Sequence, residues 1–214
     1  MSDGLTQRIM ARGGALCLIA GYVDAIGYTT MGSIFAANMT GNTVLLAVAA
    51  GRGDGARATG YATTLAAFLA GAIASALLRR VTGRPIAALL AASVLLLAAA
   101  IAHLPPHASL ALLAVAMGLQ GAAITRFATA TMSTVVVTAT IVRLAHHIVA
   151  FAMPVEGAAQ GGAARLDALA WIAYGAGAAL ALVVERIMHV PLFLAAAMLF
   201  AVAFEVATAG PRGT

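Results

Sequence analysis

Four hydrogen-bonding side chains, Asn38, Thr40, Asn42 and Thr43, fall within six residues of an otherwise apolar stretch, "FAANMTGNTVLLA", with Gly41 among them. Amides and hydroxyls at this density have two uses in an apolar medium. They can free the backbone from helical hydrogen bonding, re-satisfy it, and turn what is left toward a solute. They can also knit neighbouring helices together, as polar and small residues do in membranes. Irregular backbone is not viable against lipid, so in either case the knot faces protein or a water-lined cavity. Asn38-Met39-Thr40 matches a glycosylation sequon, but its flanks are those of a membrane segment.

Asp24, in "AGYVDAIGY", is the acid set deep in an apolar segment just upstream. A carboxylate at mid-helix costs about 2.5–3.5 kcal/mol on insertion scales, and such groups face the bundle interior and find a partner. Tyr28 stands one helical turn away on the same face and could donate a hydrogen bond. Protonation would also relieve the cost, which makes Asp24 a candidate for proton or cation coupling, with a structural ion pair as the alternative. Arg126, closing "MGLQGAAITRF", is the expected cationic partner, in direct or water-mediated contact. A snorkelling helix-end arginine is the other reading. Gln120 would add an amide to the same space.

Other polar residues read as bland. Arg143 and His147 share a helix face, best read as a helix end at the interface. His146 and His147 are adjacent, point to different faces and do not make a shared metal site. His103 and His107 flank Pro105-Pro106 in a loop, and Glu156 and Asp167 bracket a Gly/Ala-rich linker and read as solvated. Glu205 can snorkel or cap the bundle, and Trp171 reads as an interfacial anchor. Cys17 is the single cysteine, so it offers neither an intrachain disulfide nor a thiolate cluster. No phosphate loop, HExxH or GxSxG motif occurs, so no cofactor is implied and an intramembrane enzyme is unsupported.

The elements that position these residues follow from composition. Hydrophobic types make up 63% and charged types 9% of 214 residues, with a mean hydropathy of +1.00. Soluble domains carry about 25% charged residues, so this chain reads as an all-α polytopic membrane protein. A barrel would show alternating segments of about ten residues. The net charge of +5 comes from arginines at the ends of apolar runs, where topology signals belong. No basic patch is interleaved with aromatics, and nucleic acid is set aside as a partner. The N-terminal "MSDGLTQRIMARGG" leads straight into apolar sequence and reads as the start of a first transmembrane helix, not as a cleaved leader.

Eight apolar segments run over 13–30, 34–50, 61–78, 85–104, 109–125, 132–150, 169–184 and 191–207. The chain reads as one integral membrane domain, 1–214, holding two degenerate repeats at about 9–106 and 107–210. Gly71, Phe68, Arg80 and Pro85 recur 106 residues later as Gly177, Tyr174, Arg186 and Pro191. Gly21 aligns with Gly118, Asp24 with Gly121, and "MTGNTVLLA" with "VTATIVRLA", which puts Thr40 on Thr138. If all eight segments crossed with an internal N-terminus, Arg79, Arg80 and Arg84 would lie outside, against the positive-inside rule. If the knot-bearing segment enters and leaves on one side, each half crosses three times, both termini lie inside and the repeats are inverted. The cost is that Arg52 and Arg57 lie outside, beside Asp54. Six crossings plus two interrupted segments is therefore the favoured arrangement, with eight crossings as the alternative. Transporters and channels use such interrupted helices. Small residues at four-residue spacing (Ala67, Gly71, Ser75; Gly118, Ala122) allow close packing and a homodimer.

"GYVDAIGY" followed by "FAANMTGNTVLLA" resembles the YoaK-like family of bacterial multi-pass inner-membrane proteins, a domain of unknown function. The likeness covers nearly the whole chain. Gln120 and Arg126 fit the family's second-half pattern, while Gly121 and Ala139 depart from it. The resemblance implies residence in the bacterial inner membrane and supplies no substrate. Together these readings give a small-solute or ion transporter or channel whose substrate or coupling proton meets Asp24, Tyr28, Asn38, Thr40, Gly41, Asn42, Gln120, Arg126 and Thr138. The alternative is a membrane scaffold or accessory subunit that uses the same residues for packing.

Overall fold

The first helix ends at Thr30, just before Gly32. Gly32 takes φ +87° and Ser33 φ +61°. The Ser33 N–H closes back on the Tyr28 carbonyl at 3.1 Å, the six-residue closure of a left-handed helix end. In this computed structural model, residues 3–123, 145, 149 and 162–208 are described. They form α1 (Asp3–Thr30), α2 (Met39–Gly51), α3 (Gly55–Thr82), α4 (Ile86–Ile101), α5 (Pro106–Ala123), α6 (Gly162–Ile187) and α7 (Leu192–Thr208). No strand occurs among the described residues, in agreement with the all-α expectation. The segment expected at 132–150 lies outside them, apart from helical positions 145 and 149.

Capping explains the remaining boundaries. The Asn38 side chain accepts from the Gly41 N–H at 3.1 Å and starts α2. Asp54 accepts from the Arg57 N–H at 3.1 Å and starts α3. Gly83, with φ +69°, ends α3 after Arg79 and Arg80, where cations offset the helix dipole. The segment expected at 34–50 is thus helical only from Met39.

Three helices, α3, α5 and α6 over Arg165–Ile187, are long and apolar enough to cross a membrane. The apolar helices α2, α4 and α7 are shorter. The 13 residues of α2 rise only about 20 Å, against a hydrocarbon core of about 30 Å. Leu69, Ile73, Leu77 and Val81, at four-residue spacing on α3, are all exposed, an outward apolar stripe suited to lipid.

The buried centre is built on α1, where Leu16, Ile19, Tyr22, Val23 and Ile26 are all at most 1% exposed. This helix packs on α5, α6 and α7, while α3 packs on α5 and α4 on α5 and α7. Two crossings are closed by glycine. A Cβ on Gly21 would collide with the Tyr174 carbonyl, and one on Gly177 with the Leu18 carbonyl. At the second crossing, a Cβ on Gly71 would meet the Val115 carbonyl and one on Gly118 the Phe68 carbonyl. Small residues let helix backbones approach this closely where lipid supplies no hydrophobic drive. Gly14 lies at the Leu169 side chain and Thr29 bonds Glu185, so α1 and α6 run parallel. Against α5, Leu16 meets Gln120 while Gly27 meets Leu110, so α1 and α5 run antiparallel.

Candidate functional site

The chain leaving α1 turns back along it. The Ile34 carbonyl lies against Gly27 and the Ala37 N–H reaches Asp24 Oδ1 at 2.6 Å. Residues 34–38 thus run inward beside the last turns of α1, and α2 then starts from Asn38. The Ile34 side chain meets Gly60 near the start of α3. The knot is a break with a half-helix attached, as its residue types suggest.

Asp24, 2% exposed, holds this break in place. Its Oδ1 also accepts from the Asn38 N–H at 3.3 Å, and its Oδ2 accepts from the Tyr174 hydroxyl of α6 at 2.5 Å. The two amides belong to the N-cap residue of α2 and the one before it, so the carboxylate sits at the positive end of that helix. Backbone amides of the break and the Tyr174 hydroxyl meet Asp24, and no cation does, among the described residues.

Asn42, fully buried, clamps the same loop. It donates from Nδ2 to the Phe35 carbonyl at 2.7 Å and accepts at Oδ1 from the Phe35 N–H at 3.0 Å. A side-chain amide offers this paired donor and acceptor, and it satisfies both backbone groups of one residue. Thr43 donates to the Met39 carbonyl at 2.9 Å. Gly41 faces the Phe35 ring and the Asn38 amide. The amides of the knot are therefore engaged with the knot's own backbone, and its two threonines, Thr40 and Thr43, are exposed.

Several expectations need correction. Tyr28 does not serve Asp24: it is 45% exposed and stacks on Phe35, ring centroids 5.0 Å apart. Spacing along α1 suggested Tyr28, but the Asp24 side chain turns toward α6 and the folded-back loop, and a tertiary donor takes the place of the local one. Asp167 is buried at 9% exposure, not solvated, because the helix now reaches back past it to Gly162. Arg126 and Thr138, with Arg143, His146, His147 and Glu156, lie outside the described residues.

Gln120, 1% exposed, sits apart from the break. It donates to the Leu16 carbonyl at 3.0 Å, two turns of α1 away from Asp24. One turn beyond Leu16, buried Arg12 meets half-exposed Glu205 of α7, Nε to Oε1, at 3.3 Å. Sequence reasoning missed Tyr174 and this Arg12–Glu205 pair. A signal for Tyr174 was present: the aligned crossing has Phe68 and Gly121 where this one has Tyr174 and Asp24. Hydroxyl and carboxylate occur together at one crossing and are both missing from the other.

A helical membrane protein with a folded-back break anchored on a buried carboxylate is the class that this fold and site define. Residues 13–204 match the family described as "Protein of unknown function (DUF1275)", and the chain belongs to that family. Over 144 residues it is 34% identical to "UPF0700 transmembrane protein YoaK" of Bacillus subtilis (strain 168), covering 62% of this chain and 64% of that relative. The match thus spans less than two thirds of the relative's length. No solved structure matches the chain.

Proposed function

We propose that this protein is a small-solute or ion transporter or channel of the bacterial inner membrane, built from two inverted repeats, with the anchored break as a moving part of its pathway. The observation that carries the reading is the position of Asp24. One buried carboxylate ties the first half's broken helix to α6 of the second half. Protonation, or a bound solute competing for its lone pairs, would change the hold on both elements at once. Interrupted helices joined at a repeat interface are the working parts of many transporters.

Two observations support the repeats at 9–106 and 107–210. The crossings at Gly21–Gly177 and Gly71–Gly118 use aligned residues, including their carbonyl partners at Leu18, Val115, Phe68 and Tyr174. The repeat mates α1 and α5 run antiparallel, as inverted copies must. The shortness of α2 and the folded-back course of 34–38 support an interrupted segment in the first half; with six crossings and a second such segment, Arg79, Arg80, Arg84 and both termini fall on the cytoplasmic side, as the positive-inside rule asks.

The test is flux. Purified protein in liposomes loaded with a pH-sensitive dye is challenged with a proton gradient and with a panel of small solutes. Wild type should move protons or solute faster than empty vesicles, and Asp24→Asn should abolish coupling to protons. Wild-type vesicles as tight as empty ones to every probe would sink the transport reading. A scaffold role is the second reading, favoured by the internal pairing of Asn38 and Asn42. It expects those tight vesicles together with co-purification of a partner membrane protein.

A further inference from the structure

Gln120 carries a buried polar atom with no partner among the described residues. Its Nε2 donates to the Leu16 carbonyl, which fixes the other amide atom, Oε1, as the free one. Oε1 is inaccessible and accepts from nothing among the described residues. Buried polar atoms in membrane bundles are normally paired, and an orphan acceptor at 1% exposure marks a place where a donor is missing. Its position is specific. Along α1, Leu16 lies one turn from Arg12, which is paired with Glu205 of α7, and two turns from Asp24, which is paired with Tyr174 and the break. The free acceptor therefore sits between two polar closures that each tie α1 to another helix.

The chemistry of the missing donor follows from its neighbours. Oε1 asks for an N–H, an O–H or a cation. Arg12, one turn along α1 from Leu16, carries a positive charge that disfavours a cation, and the acids of the two flanking closures are engaged, Glu205 with Arg12 and Asp24 with the Tyr174 hydroxyl and the amides of the break. The surrounding α1 and α5 positions, Ile19, Ala20, Ala116, Met117 and Leu119, are buried and apolar. We infer that Gln120 is the recognition residue for a small uncharged solute bearing a hydrogen-bond donor, held between the Arg12–Glu205 and Asp24–Tyr174 closures. This rests on the transport reading and names its substrate class.

The experiment is stopped-flow light scattering on proteoliposomes with urea, acetamide, glycerol and methylammonium as probes, using wild type, Gln120→Met and Asp24→Asn. Gln120→Met keeps the length of the side chain and removes both polar atoms. The expected result is wild-type permeation of at least one neutral probe several-fold above empty vesicles, reduced at least fivefold in Gln120→Met. The folding control is thermal stability in detergent: Gln120→Met should melt at or above wild type, since it removes an orphan acceptor. Neutral permeation unchanged in Gln120→Met overturns the inference while the transport reading stands. So does permeation of methylammonium or protons alone. A resident water only, seen as unchanged permeation with a lowered melting point in Gln120→Met, overturns it as well. Tightness to all probes in wild type overturns both.

Discussion

Tyr174 meets α1 twice: its carbonyl lies against Gly21, and its hydroxyl donates to Asp24, one turn further along. The glycine sets the distance between the helices, and that distance sets whether a phenol can reach the carboxylate. Packing and polar anchoring are therefore one device here. Tyr174→Phe should destabilise the protein by about 1.5–3 kcal/mol, the worth of a hydrogen bond to a charged group. Unfolding in mixed micelles, run as a double-mutant cycle with Asp24→Asn, should show the two changes to be strongly non-additive.

Asp24→Asn should be milder than Asp24→Ala. The asparagine oxygen can still accept from the Ala37 and Asn38 amides, whereas alanine leaves both without that acceptor. Hydrogen exchange at Ala37 and Asn38 should rise sharply in the alanine variant and little in the asparagine one. Equal exchange in the two variants would show that the carboxyl oxygen does not anchor the break.

Asn42→Asp keeps the shape of the side chain but loses its donor. The Phe35 carbonyl then faces an oxygen in place of the 2.7 Å amide contact. The expected cost is about 1–3 kcal/mol for the unsatisfied buried group. It should be read as faster proteolysis within 31–42 with α3 still protected.

The tight crossings make a graded series. Gly21→Ala and Gly118→Ala force a methyl into a facing carbonyl and should each cost about 1–3 kcal/mol by overpacking. Gly175→Ala, on the open side of α6 with nothing within 4 Å, should gain up to about 1 kcal/mol from helix propensity. If all three behave alike in a thermal melt, the close approaches are not as drawn.

Ser75, 1% exposed, carries a hydroxyl with no partner among the described residues. Ser75→Ala should leave the fold intact and raise stability by about 1 kcal/mol, since a desolvated, unpaired hydroxyl is a net cost. A lower melting point would reveal a partner for Oγ.

Residue types alone exposed the membrane class, the break and the unusual status of Asp24. A run of apolar residues with 9% charge leaves no soluble alternative, and the polar "NMTGN" marks where a new helix starts, with Asn38 as its cap and the irregular stretch just before it. Partners were harder to read. Spacing rules connect residues on one helix, so they offered Tyr28, whereas Tyr174 lies 150 residues away and reaches Asp24 only through the Gly21 crossing. The use of Asn42 was hidden for a different reason. A side-chain amide clamping backbone looks, in sequence, the same as one waiting for a solute.

The Asp24–Tyr174 bond also has a consequence in time. At roughly 5–20 residues per second of synthesis, the 150 residues between them take about 8–30 seconds to emerge. During that interval α1 is made without the phenol that will hold its carboxylate. The Asp24 carboxylate on α1 gains its phenol only when α6 has been made, so the two helices are joined there late in synthesis.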